Sequence, residues 1–234
     1  MNKFKVVTES KDPKILVVTP LLPGHKISKE TKKTIKRNDV PYTWITSEGN
    51  NNIPTNLKLG LEWFNPLPPF YFMLDNDIIL GRGILDRLVR KLEKEPYFVA
   101  FTYASFQFKG TVNQAFPAMP YNIERLLQHN YISSNSLFRS DVVMKIGLVT
   151  EQYLERLLDW AMILKLYYHG YIGMPTPEAN FIAVSTPKDI SARSSDDYNI
   201  KRFRVLKKYG EPIINDMKRV ADQSADNVLR VLDT

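Results

Sequence analysis

The stretch PFYFMLDNDIILGRG (69–83) limits the possible fold more than any other part of the chain. Phe70 to Leu74 is apolar at every position, without the alternation of a half-solvated strand. Such a run is expected to be covered on both faces, as strands of parallel sheets are. Open α/β sheets bind their ligands just beyond the carboxyl ends of their strands. Asp75 and Asp77 stand at that place, one residue apart, and in an extended segment both side chains would project to the same side. Paired carboxylates suit Mg2+ or Mn2+, which keep further positions for phosphate or water. Asp and Asn commonly end strands in turns, so an Asp-x-Asp alone says little. Its place after a buried strand and before a helix makes it a candidate metal site.

The rest of the chain alternates between the two periodicities. KILVVTP (14–20) is a second buried-strand candidate, and YTWITSEG (42–49), PYFVAFTYASFQF (96–108) and YISSNSLF (131–138) read as further strands. Helical spacing appears in the basic stretch 25–37, in IPTNLKLGLEWF, from Ile84 onward, in NIERLLQHN, in DVVMKIG with Ser140 as its N-cap, and in DWAMILKLYYHG. Lys109–Tyr121 and Lys188–Asn199 lack periodicity and are expected as loops that close over a bound ligand. Ile200–Leu232 reads as basic amphipathic helix. This order predicts an α/β fold, a mainly parallel sheet with helices on both faces and a helical C-terminal tail. The expected division is a domain over 1–191 and a polar loop with basic helix over 192–234.

Composition removes several function classes. The 234 residues, 44% hydrophobic and 24% charged, include no cysteine, so disulfides and thiolate metal sites are excluded. No apolar stretch has the ~20 residues of a membrane span, and the start lacks a secretory signal's apolar core. A cytoplasmic protein is expected, with peripheral contact to an anionic surface as the further option raised by the net charge of +7. Lys29, Lys32, Lys33 and Lys36 would share one helical face, read as a solvated face, and no nucleic-acid signature accompanies them. His25, His129 and His169 are scattered, and Trp44, Trp63 and Tyr71 read as core side chains. No nucleophile elbow, P-loop or dinucleotide fingerprint is present. Asp159, just before Trp160, fits either a helix cap or a general base.

Taken in order, KILVVTP, NNNIPTNLKLGLEWF, FYFMLDNDIILGRGILDRLVRKL, YISSNSLFRSDVVMKIGLV and LLDWAMILKLYYHGYIG resemble the GT-A nucleotide-sugar glycosyltransferases, most closely the inverting family 2 type. The resemblance runs from about Lys14 to Ser191. It implies a hexosyltransferase-type enzyme moving sugar from a nucleoside-diphosphate sugar, a UDP-sugar first, to a glycan, lipid-linked or protein acceptor. Asp77 would ligate Mn2+ or Mg2+, with Asp75 near the ribose or a metal-bound water and Asn76 between them. Thr19, Pro20, Glu48 and Asn56 would line the nucleoside, Ser134 and Asn135 would border donor sugar and acceptor, and Asp159 would be the catalytic base. Two departures stand out: Leu158 replaces a common Glu, leaving Glu155 as the substitute, and IAVSTP lacks a histidine that some relatives carry. A non-catalytic basic binding module and a sugar nucleotidyltransferase are the alternatives, the latter lacking its Gly-rich, Arg-bearing loop.

Overall fold

A computed structural model describes residues 3–49, 52–151, 157–185 and 195–232, with the side chains of all of these except 195–196 and 222–232. The chain folds around one mixed sheet of nine strands in the order β1-β3-β2-β4-β8-β6-β9-β5, with β7 paired on β6. Its strands are β1 (Lys3–Thr8), β2 (Ile15–Leu21), β3 (Tyr42–Glu48), β4 (Phe70–Met73), β5 (Ile78–Leu80), β6 (Val99–Gly110), β7 (Gln114–Phe116), β8 (Leu137–Arg139) and β9 (Ile172–Ser185). β3, β2 and β4 run parallel, with Val17 opposite both Trp44 and Phe72. β8 runs antiparallel to β4 and to β6, and β6 resumes a parallel pairing with β9.

The apolar run at 70–74 is explained by two cores, one on each face. Phe70, Phe72 and Leu74 join Ile15 and Val17 beneath α3 (Ile84–Lys94), which contributes Ile84, Leu85, Leu88, Val89 and Leu92. Tyr71 and Met73 join Leu16 and Val18 on the other face, with Leu57 and Leu61 of α2 (Ile53–Trp63) and Trp160 to Leu164 of α6 (Leu158–Tyr168). Gly60 lets α2 lie close against β2, because a Cβ there would stand 2.8 Å from Val18 Cγ1. The remaining helices are α1 (Lys29–Ile35), α4 (Ile123–Gln128), α5 (Ser140–Ile146), α7 (Ser195–Val205) and α8 (Glu211–Leu232).

Several expectations change, among them the loop expected over 188–199, of which residues 195–199 begin α7. Lys109–Tyr121 is not one loop: β6 continues to Gly110 and β7 folds back on it, Phe106 stacking on Phe116 at 4.6 Å between ring centres. Only Leu137 and Phe138 of the expected strand at 131–138 lie in β8, because Ser133, Ser134, Asn135 and Ser136 bond one another and the local backbone instead of a ladder. Ser140 is the first residue of α5 rather than its cap; its N–H goes to the Pro69 carbonyl, and Arg139 occupies the cap position. Trp63 is 46% exposed and lies flat on Phe4 of β1 instead of entering the core.

The C-terminal segment packs on the domain. Val205 and Ile213 are buried in the core that holds α6, and a π-helical turn, Leu206–Gly210, separates α7 from α8. The boundary expected at 191–192, the segment 188–194 and Glu155 lie outside the described residues. No described helix is long and apolar enough to cross a membrane.

Candidate active site

β4 ends at Met73, and Asn76–Asp77 forms a turn, so the two acids share no strand pleat. A single side chain fixes Asp75 instead. The Asp75 N–H donates to Asn135 Oδ1 at 3.0 Å, and Asn135 Nδ2 donates to Asp75 Oδ2 at 2.8 Å. Ser134 Oγ adds a bond to the same carboxylate oxygen at 3.2 Å. Asn135 is buried, which holds this pairing rigid. Asn76 faces the other way: its side chain donates to the Lys26 carbonyl, and its own carbonyl accepts from Ser28 N–H and Thr31 Oγ. That residue ties the acidic turn to the start of α1. Asp77 leads directly into β5, whose Ile78 pairs with Ala183 of β9.

Asp159 is the second residue of α6, half-buried, on the same side of the sheet as Tyr71 and Met73. Its Oδ1 accepts the Trp160 N–H at 2.7 Å, and the helix has no side-chain cap. The Ser134 backbone and the Asn130 side chain lie near the same carboxylate and favour its ionised form. Burial pushes its pKa up to about 7, and the nearby charge of Asp75 pushes the same way, against those three groups. Burial also raises Asp75, against the pull of Asn135 and Ser134. The helix start is anchored by the buried Trp160 indole, which donates to the Leu126 carbonyl of α4 at 2.6 Å.

The loop between α4 and β8, residues 129–136, therefore carries the groups that lie beside the two acids. Ser134 bonds Asp75 through its hydroxyl, and its backbone lies near Asp159. Sequence reading picked out Ser134 and Asn135, the two residues of this loop whose side chains bond Asp75.

The other expected site residues line the carboxyl ends of β2 and β3. Thr19 is fully buried and accepts from the Trp44 indole at 2.9 Å. Pro20 is buried beside Ser47, and Glu48 accepts from Gly24 N–H at 3.4 Å. Asn56, fully buried on α2, donates to the Leu21 carbonyl at 2.7 Å and so fixes the end of β2. The arrangement brings Asp75, Ser134, Asn135 and Asp159 together. Thr19, Pro20, Glu48 and Asn56 stand along the adjoining strand ends.

Among the described residues no group of three or more His, Asp or Glu side chains is placed to hold a metal ion. Asp75 and Asp77 supply two carboxylates at most. That donor set fits a hard cation that takes its other ligands from phosphate oxygens and water, as Mg2+ typically does. An open groove of about 430 Å³ lies near the amino ends of β2 and β3, lined by Lys14, Arg37, Arg82, Asp86, Arg90 and Glu93. It contains none of the site residues. The carboxylates are the better guide to chemistry, since the groove offers no buried reactive group.

No protein-family model and no curated protein sequence matches the chain. Solved structures do. Crystal structures of Staphylococcus aureus TarS residues 1–349 superimpose with TM-scores of 0.64 for the complex with UDP and 0.65 for the complex with UDP-GlcNAc, each at 12% identity over 86% of this chain. What is shared is the GT-A-like glycosyltransferase fold. The chain spans 66% of that TarS fragment and 40% of the longer TarS structure, where the TM-score is 0.57.

Proposed function

We propose that the chain is a metal-dependent, inverting glycosyltransferase of the GT-A type, moving a hexose from a UDP-sugar to a hydroxyl group. The observation that carries this reading is the pair of half-buried carboxylates, Asp75 and Asp159, near enough for the charge of Asp75 to act on Asp159, with Ser134 bonded to Asp75 beside them. The fold shared with TarS, whose structures hold UDP and UDP-GlcNAc, supports a UDP-sugar donor. The acidic turn sets Asp75 and Asp77 at the diphosphate, and the ends of β2, β3 and α2, with Thr19, Pro20, Glu48 and Asn56, line the nucleoside.

In the proposed reaction the acceptor oxygen bonds to the anomeric carbon as the bond to the diphosphate oxygen breaks. Asp159 takes the acceptor proton, a role for which a carboxylate titrating near neutral pH is suited. Asn135 and Ser134 hold Asp75 in one orientation. Mn2+ or Mg2+, held by Asp77 and Asp75, would neutralise charge on the departing UDP. The acceptor is a glycan, lipid-linked sugar or protein hydroxyl.

Calorimetric titration of UDP with and without Mn2+ tests the donor site. The wild-type protein should bind UDP with Mn2+ and lose most of the affinity in EDTA. Asp77→Ala should bind UDP equally weakly in both conditions. UDP affinity independent of Mn2+ in the wild-type protein would remove the metal-site reading.

A further inference from the structure

We propose that the outer face of α1, together with the arginine-lined groove at its end, docks the protein on an anionic lipid surface. Sequence reads Lys29, Lys32, Lys33 and Lys36 as a solvated face, but in the fold that face does not stand alone. α1 turns Thr31, Thr34 and Ile35 inward and leaves all four lysines exposed. At its end, Lys36 and Arg37 share a depression with Asp39 and Arg82. The depression is continuous with the groove at the amino ends of β2 and β3, since Arg37, Asp39 and Arg82 line both, and the groove adds Lys14 and Arg90.

The chain's charge is concentrated on these two helices. Residues 25–39 carry six Lys or Arg against two acids, and residues 82–95 carry five against three. Those excesses of four and two make up six of the net charge of +7. The three acids of the second segment are engaged within the fold. Asp86 accepts the Val40 N–H at 2.6 Å and the Asp39 N–H at 3.1 Å, Glu93 pairs with Lys14 at 2.8 Å, and Glu95 pairs with Lys91 at 2.7 Å. Arg37 and Arg82 are exposed, and their side chains make no hydrogen bond or ion pair among the described residues.

Charge and breadth select the partner. Guanidinium groups without a carboxylate partner match phosphate, and lysines add point charges. Neither the groove nor the outer face of α1 offers an aromatic side chain on which bases could stack, which argues against a nucleic acid. A single acidic polymer in the groove would leave the lysine row outside it unused, whereas a bilayer of acidic headgroups meets both. The Ser28 N–H and Thr31 Oγ donate to the Asn76 carbonyl, so the helix that carries the lysines begins on the acidic turn. A bilayer against α1 therefore lies beside that turn and favours a lipid-linked acceptor. That consequence rests on the proposed function; the docking does not.

Co-sedimentation with vesicles in low salt, without donor or metal, tests the docking. Wild type should pellet with phosphatidylcholine vesicles that contain phosphatidylglycerol, stay in solution with phosphatidylcholine alone, and be released by high salt. Arg37→Glu/Arg82→Glu and Lys33→Glu/Lys36→Glu should each bind about tenfold more weakly or worse, with melting temperature and UDP affinity in Mn2+ as in wild type. Lys207→Glu/Lys218→Glu makes the same change of net charge at exposed lysines of the C-terminal helices and should bind vesicles as wild type does. An equal loss in that variant overturns the proposal, because net charge and not this face would then be responsible. Wild type that ignores both vesicles, or binds both alike, overturns it too. Binding to immobilised polyphosphate but not to vesicles, lost in the α1 and groove variants, replaces the bilayer with an acidic polymer. UDP affinity is measured separately from vesicle binding, so failure of the donor site and failure of the docking face give different results.

Discussion

Asp159 lies close enough to Asp75 for the charge of Asp75 to raise its pKa, and Ser134, which bonds Asp75, lies beside both. Two acids so placed do not ionise independently. With burial, this sets Asp159 near pH 7. Turnover limited by this base should therefore climb with pH through neutrality and level off in the alkaline range. A cation held at Asp75 offsets the like charge, so raising Mn2+ should move the midpoint to lower pH. Initial rates at two Mn2+ concentrations check this; a profile flat from pH 5 to 9 would show that no such group controls the step.

The same shift makes a stability prediction with a definite sign. The Asp159 carboxyl titrates near 7 in the folded protein against an ordinary value of 3.8. Between those values the folded chain holds a proton that the unfolded chain has lost, so stability falls as pH rises through that window. Asp159→Asn removes the titration while keeping a side-chain oxygen for the Trp160 N–H. It should melt above wild type at pH 5 and further above it at pH 8, in metal-free buffer. A variant that melts lower at both pH values would mean that the ionised carboxylate stabilises the fold.

Asn135→Ala should be among the costlier polar substitutions. It deletes both halves of the reciprocal bond with Asp75 and leaves a half-buried carboxylate with Ser134 Oγ alone. Hydrogen bonds to charged groups are worth about 1.5–3 kcal/mol, so a loss of about 2 kcal/mol in urea unfolding is expected. UDP affinity in Mn2+ should fall as well, because Asp75 is then free to rotate. A loss below about 0.5 kcal/mol would show that Asp75 is held by other means.

The C-terminal helices should behave as part of the domain. Tyr209 OH donates to Glu151 at 2.6 Å, Lys208 pairs with the same carboxylate, and Val205 is buried against the α6 core. Tyr209→Phe should cost about 1 kcal/mol through one hydrogen bond. Val205→Ala should cost about 2 kcal/mol through lost packing. Both should shift a single unfolding transition. A separate early transition, with the main one unmoved, would make the segment an appendage.

Much of this fold was readable because burial leaves a direct mark on sequence. The run at Phe70–Leu74 is apolar throughout since odd and even positions enter different cores, and the stripe from Ile84 to Leu92 points into one. β1 escaped notice because none of its residues is buried, and β7 because a three-residue strand carries too little pattern. The mixed direction of the sheet was hidden as well, since strand direction depends on connections rather than composition. Within the site, Asp75 and Asp159 were legible from type and place. The loop beside them was not: Ser133, Ser134, Asn135 and Ser136 read as part of a strand, and only folding shows their side chains bonding the backbone and the acid.

The central claim is that this pair of acids turns over a UDP-sugar, and one assay meets it directly. Purified wild-type protein, Asp77→Ala and Asp159→Asn are incubated with UDP-N-acetylglucosamine, UDP-glucose and UDP-galactose in Mn2+, and free UDP is measured over time. The account predicts steady UDP release by the wild type from at least one donor, stopped by EDTA. Asp77→Ala should be inactive and Asp159→Asn slowed about 10²-fold. Tight, Mn2+-dependent UDP binding by a wild-type protein that releases no UDP from any of the three would contradict it and leave a binding module on a glycosyltransferase fold.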